Sequence, residues 1–337
     1  MSINECDASL QRHQSLYFDD GDIVLTAPIA SRLERKTMVF RVDKVFLARH
    51  SRVFKDMFSF TPGQDSRDIY DGVPRVDLTD DAESMQGLLS AMYNAATLPL
   101  GKFNPHKPFL LMGTMRLAIK YEVDGVRDMI KRSVEEDWPH DRLSYETWSA
   151  DRKRVVQTHG DDWWRHFPEP AAAMQFATEF GCSTILTGIV YYMSTLSDMD
   201  RISKPSLSTT PHVVRWNLLN SVNFFRLRRA EEAVRLFLSE WDDEISDCLS
   251  DLDCCENEIN RVYKDHIRYD CLHYTNSRFL EMCRAEGACT QCLEQLDQVS
   301  MYANGRRGRL WVYLSKCVTA SPVPWPADIH NDEQTDQ

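Results

Sequence analysis

The apolar spacing of this 337-residue chain changes once, near residue 140, and that change limits the fold more than any other feature. Before it, short β-branched runs alternate with helical stripes; after it only helical spacing recurs. Asp22-Ile23-Val24-Leu25-Thr26 follows Asp19-Asp20-Gly21. A turn dipeptide ahead of a β-branched apolar run reads as a strand start. Residues 37–42 (Thr-Met-Val-Phe-Arg-Val) read as a second strand, with 27–36 connecting the two. Between 42 and 60 the apolar residues fall at 42, 45, 46, 47, 53, 54, 57 and 58. This is helical spacing interrupted at His50-Ser51, and Ser51 is placed as the N-cap of a second short helix. A Gly/Asp/Ser-rich loop over 61–71 precedes a third strand over 73–78, with Pro74 at its entry, where the missing N–H does least harm. Asp80 and Glu83 form a capping-box pattern. It precedes the stripe Met85, Leu88, Leu89, Met92 and Tyr93. A loop over 95–108 leads to helical stretches over 109–121 and 123–137, which end before Pro139.

Beyond 140 no alternating strand pattern recurs. A helical stripe runs over 171–196 and bends near Gly181; 198–211 is a Ser/Thr/Pro linker. Further helices are expected over 213–238, 256–283 and 286–302. The chain therefore divides into a flexible N-terminus (1–17), a mixed domain (18–139), an α-helical domain (140–320) and a disordered acidic tail (321–337). The fold class is α+β followed by a mainly α-helical region. No internal repeat is visible.

Composition narrows the function. Lys and Arg number 39 against 51 Asp and Glu, a net charge of −12, which disfavours direct nucleic-acid binding because that needs a basic face. A hydrophobic content of 43% excludes wholesale disorder. The first residues lack a basic segment followed by an apolar core, so no secretory signal is expected. The most apolar run is 185–193, far short of the roughly 20 residues of a membrane helix. The expectation is an intracellular protein, cytoplasmic or nuclear, with no membrane partner and with reduced thiols. There is no G-x-S-x-G, P-loop, G-x-G-x-x-G or H-E-x-x-H. No catalytic residue and no cofactor site are therefore assigned, and the chain reads as a non-enzyme. The pairs Asp80-Asp81, Asp161-Asp162 and Asp242-Asp243 read as caps and solvated faces.

Three features stand apart. Seven of the ten cysteines lie between 248 and 292. Cys289-Thr290-Gln291-Cys292 is a C-x-x-C, and His273 and Cys283 are the remaining candidates for a metal set, since structural zinc takes four Cys or His ligands. A second C-x-x-C is absent, and the adjacent Cys254-Cys255 are expected on different faces of a helix. Buried free thiols are the stronger expectation. Asn304-Gly305-Arg306-Arg307-Gly308-Arg309 is a short basic turn; contact with phosphate or a localisation signal is one reading, and a helix C-terminal turn complementing the dipole is the stronger expectation. Trp163-Trp164 with Phe167 reads as a loop anchor or a docking patch.

Four segments in order resemble a known family. They are Asp22-Ile23-Val24-Leu25; the run Phe40-Arg41-Val42-Asp43-Lys44-Val45-Phe46-Leu47-Ala48-Arg49-His50-Ser51-Arg52-Val53-Phe54-Lys55-Asp56-Met57-Phe58; Val76-Asp77-Leu78 with the helix ending Leu88-Leu89-Ser90-Ala91-Met92-Tyr93; and Leu117-Ala118-Ile119-Lys120-Tyr121-Glu122-Val123. Together, over 19–138, they resemble the signature of BTB/POZ domains. The whole chain resembles fungal BTB proteins with a helical C-terminal half and no kelch repeats. The resemblance implies a small sheet capped by a cluster of helices, with Phe40, Leu47, Phe54, Met57 and Phe58 in the core. The signature positions are Asp22, Phe40, Asp43, Lys44, Leu47, Ser51, Phe54 and Tyr93. It also implies protein partners: a second copy, another BTB domain, a cullin-type scaffold for which the chain would be a substrate adaptor, or a transcriptional corepressor. Two features depart from the family. Asp43 stands where the family usually has His, near the dimer interface of many members. The loop over 95–108 is long and lacks the apolar-x-Glu element of cullin-binding members, which disfavours the cullin reading. A zinc-stabilised or zinc-using C-terminal domain is the alternative of another class.

Overall fold

The computed structural model describes residues 9–30, 36–59, 69–196, 214–250, 254–267, 271–272 and 276–319. The linker expected over 198–211, the tail over 321–337 and His273 lie outside the described residues. Contacts divide the chain into two compact units, Met1–Val134 and Glu135–Gln337. The sequence places this division at 139, where Pro139 stops the helical pattern. The contacts place it earlier because Trp138 packs on Trp148 (ring centroids 5.3 Å apart) and Tyr192 (6.2 Å), both in the second unit.

The first unit is built on a five-stranded sheet: β1 (Ser9–Tyr17), β2 (Ile23–Ile29), β3 (Lys36–Val42), β4 (Ile69–Tyr70) and β5 (Val73–Asp77), in spatial order β1-β3-β2-β5-β4. β2 pairs antiparallel with β3 and parallel with β5. It is the central strand, and Ile23–Ala27 are buried without alternation, as expected of a strand covered on both faces. β1 corrects the expectation of a flexible terminus through residue 17: Ser9–Tyr17 pairs in parallel with β3, with a register shift between Arg12 and Tyr17. The sequence hides this strand because backbone hydrogen bonds to an edge hold it, while Leu10 stays 44% exposed and Leu16 is the one buried apolar side chain.

Around the sheet lie α1 (Lys44–His50), α2 (Arg52–Ser59), α3 (Ala82–Tyr93), α4 (Lys107–Lys120) and α5 (Asp124–Glu135). Phe40, Leu47 and Phe54 are fully buried, as are Met85, Leu88 and Leu89 on α3. Met57 and Phe58, expected in the core, are only partly buried. Phe54 takes the inward position, and Phe58 stacks outside it with centroids 5.8 Å apart. The cap of α3 moves by one residue. Asp81, not Asp80, accepts from the Ser84 N–H at 2.8 Å. α3 and α4 approach at two glycines: a Cβ on Gly87 would strike the Thr114 hydroxyl, and one on Gly113 the Ser84 hydroxyl.

The second unit is helical throughout its described residues: α6 (Arg142–His159), α7 (Pro170–Phe180), α8 (Ser183–Ser194), α9 (Ser221–Ser250), α10 (Glu256–Val262), α11 (Asn276–Ala285) and α12 (Thr290–Thr319). α6 begins with a capping box in which Asp141 accepts from the Ser144 N–H and Ser144 accepts from the Asp141 N–H. The stripe read as one bent helix over 171–196 is two helices. Gly181 adopts φ 70° and caps α7 in the left-handed region, which glycine enters without a Cβ penalty. The apolar run 185–193 is buried along its whole length in α8, the pattern of a helix enclosed by protein. The stretch expected as one helix over 256–283 also breaks, into α10, a π-helical segment (Tyr263–Ile267) and α11. The expected basic turn at 304–309 lies inside α12 instead, and Arg307 is buried with its guanidinium 4.8 Å from the Trp241 ring centroid. Phe167 is buried against Trp148 (5.0 Å) and Trp163 (5.8 Å), so it anchors its segment.

Candidate functional site

The signature residues join the strands to the closing helices. Asp22 lies just before β2, and its carboxylate accepts from the Lys44 backbone N–H at 2.7 Å, which fixes the first turn of α1. Asp43 occupies the N-cap position of α1 but makes no side-chain cap. Its N–H donates to the Tyr93 hydroxyl, and that hydroxyl donates back to the Asp43 carboxylate, both at 3.0 Å. Tyr93 closes α3 and stacks on Phe46 with centroids 4.4 Å apart. Burial is the main force pushing its phenol pKa upward, so it stays a neutral donor.

A second chain of contacts starts at Ser51, which is buried. Its Oγ accepts from the Phe54 N–H at 3.0 Å, the N-cap role expected of it, and donates to the Tyr121 carbonyl at 2.5 Å. Tyr121 stacks on Phe54 with centroids 4.5 Å apart, and its hydroxyl donates to Asp80 at 2.6 Å. Lys120 reaches the same carboxylate at 2.6 Å. Asp80 therefore ties the Lys120-Tyr121 pair to the start of α3 rather than capping that helix. Burial, and then Asp80, raise the Tyr121 pKa. These contacts tie the ends of α1, α2, α3 and α4 to one another.

The predicted metal candidates separate. Cys283 is buried on α11, where burial pushes its thiol up to about 12. Cys289 and Cys292 instead meet Cys254 and Cys255: all four sulfurs lie within 4.8 Å of one another. Cys254 Sγ is 3.5 Å from Cys255 Sγ, 3.5 Å from Cys289 Sγ and 3.7 Å from Cys292 Sγ. Cys255 and Cys292 are buried, Cys289 is half-buried and Cys254 is exposed. The Cys289 N–H donates to Cys255 Sγ at 3.2 Å. The Cys292 backbone N–H is the first cause that draws the Cys289 thiol down to about 7. Its hydrogen bonds with Cys255, then with Cys289 and Cys292, push the Cys254 thiol upward, as expected where the thiol keeps its proton to donate.

The expectation that Cys254 and Cys255 point apart on a helix is therefore overturned. Cys255 is the N-cap of α10, with φ −123° and ψ 19°, so neither cysteine is within the helix. The acidic first turn of α10, Glu256 and Glu258, was the signal that marks this boundary.

A family model described as the BTB/POZ domain matches residues 31–137. This part of the chain is a BTB/POZ domain. The matched span contains β3, α1 to α5 and every signature position except Asp22. β1 and β2 precede it but share its sheet, so the BTB/POZ fold here includes residues before 31. BTB/POZ domains are in general protein-interaction modules, and protein contact is the role this unit brings. No curated protein matches the chain. Among the described residues no helix is long and apolar enough to cross a membrane.

Proposed function

We propose that the chain is a non-catalytic, intracellular interaction protein whose BTB/POZ unit self-associates and whose helical unit holds a further protein partner. The BTB/POZ match over 31–137 carries this reading. The side chains of Asp22, Asp43, Ser51, Phe54 and Tyr93 support it, because they join the elements of that fold. Val45, two residues after Asp43 on α1, is 68% exposed, and Phe109 and Leu110 at the start of α4 are 54% and 50% exposed. Phe109 and Leu110 are adjacent in sequence, and apolar surface of this kind marks a protein contact where it is contiguous. On the helical unit, Val222, Phe224 and Phe225 in the first turn of α9 are likewise more than half exposed.

Light scattering on the full chain over a concentration series tests self-association. The expected result is a dimer that Val45→Asp converts to monomer; a monomer at every concentration contradicts it. The adaptor role for a cullin-type ligase is the second reading within this class. The segment over 95–106 provides only a short 3-10 turn, Ala95–Thr97, before α4 and no apolar-x-Glu element. Titration with a purified cullin scaffold separates the two, and no saturable binding is expected.

A further inference from the structure

The four clustered thiols of the second unit have the shape of a coordination site. In a tetrahedral tetrathiolate, zinc–sulfur bonds of about 2.3 Å place each pair of sulfurs about 3.8 Å apart. The three distances from Cys254 are 3.5, 3.5 and 3.7 Å, and no pair among the four exceeds 4.8 Å. Four sulfurs strung along a groove would not satisfy all these distances together; a compact tetrahedron does. An iron–sulfur cluster distributes its thiolates over several irons and holds them farther apart, so this set encloses a single ion. The Cys289 N–H already donates to the Cys255 sulfur at 3.2 Å, an outer contact of the kind that orients thiolate ligands.

We propose that Cys254, Cys255, Cys289 and Cys292 bind one zinc ion as a structural tetrathiolate site. Four protein ligands leave no open position, which makes the site structural rather than catalytic. Binding is metal-for-proton exchange: four Zn–S bonds form, four S–H protons leave to water, and no electron moves. The ion would fasten the segment before α10 to the first turn of α12, 34 residues apart from Cys255 to Cys289. In a reducing compartment a disulfide does not persist, and a thiolate-bound ion is the cross-link open to such a set.

The test is elemental analysis of the full chain, purified under reducing conditions without a metal-affinity step, followed by zinc-edge X-ray absorption. The expected result is one equivalent of zinc with four sulfurs at about 2.3 Å. Cys289→Ser with Cys292→Ser should abolish stoichiometric zinc, while Cys283→Ala, outside the cluster, should retain it. Zinc absent from the wild-type chain, a first shell containing nitrogen or oxygen, or zinc undiminished in the double variant would each overturn the proposal. So would a disulfide among the four in mass mapping of the freshly purified protein. Because the stoichiometry and the absorption spectrum are read on the wild-type chain, a variant that fails to fold leaves the test intact.

Discussion

The two units use their informative residues in opposite ways. In the BTB/POZ unit, polar side chains with distinctive roles sit at element ends: Asp22 on the Lys44 amide, Ser51 on Phe54 and Tyr121, Asp80 on Lys120 and Tyr121. Each role demands a particular residue type at a particular offset, so the pattern survives in sequence as a signature. The helical unit is held by apolar and aromatic faces and by pairs far apart in the chain. Tyr191 accepts from the Leu272 N–H at 3.1 Å, Thr187 donates to Ser315 at 3.1 Å, and Cys254 meets Cys289. Many residue types serve such contacts, so helices are legible there and their partners are not. A fold can be recognisable where its polar joints are specific and anonymous where packing alone joins it.

The largest effect that sharpens this contrast is removal of the thiol site. Structural zinc in small domains contributes an apparent 10–16 kcal/mol of folding free energy, roughly, at neutral pH; in a unit with its own aromatic core the loss should be smaller but still several kcal/mol. Hydrogen exchange on the chelated protein, or on Cys289→Ser with Cys292→Ser, should accelerate in α10 and α12 and leave β2 and β3 unchanged. Equal acceleration in both units would break the comparison. Phe54→Ala comes next. It empties a fully buried site stacked on Tyr121, and about 3–5 kcal/mol should be lost from the urea stability of the BTB/POZ unit. Ser51→Ala should cost about 1–3 kcal/mol by the same measurement, since it removes a cap and leaves the buried Tyr121 carbonyl without this donor.

The smallest effect is electrostatic. The Ser144 backbone N–H is the main cause holding the Asp141 pKa below its ordinary value. Its stabilisation is therefore fully present above the unfolded carboxylate pKa of about 3.9 and is lost as pH falls through the lower folded value. Asp141→Asn keeps a capping oxygen but not the charge. Its melting temperature should lie slightly below wild type at neutral pH and converge with it in acid; a constant gap would contradict the assignment.

β2, β3 and β5 announced themselves through β-branched runs, and α3 to α5 through apolar stripes. β1 did not, because an edge strand held by backbone pairing needs no alternation, and β4 is only two residues long. The capping pattern is read at Asp80, but Lys120 and Tyr121 take the Asp80 carboxylate and Asp81 caps the helix instead. Gly181 marked a bend, but its left-handed conformation ends the helix outright. Arg307 reads in sequence as part of a basic turn at a helix C-terminus, but it lies inside α12 with its guanidinium over Trp241. Of the thiol set, Cys289 and Cys292 were legible from their spacing, whereas Cys254 and Cys255 join them only through the packing of α10 against the helices that follow.

Native mass spectrometry of the intact, freshly purified protein reads the central claim in one spectrum. An interaction protein that self-associates through its BTB/POZ unit, with a zinc-pinned helical unit, predicts a dimer whose mass exceeds that of two apo chains by two zinc ions. The same dimer should dissociate in Val45→Asp to a monomer carrying one zinc. A wild-type monomer at its apo mass would contradict both parts of the account.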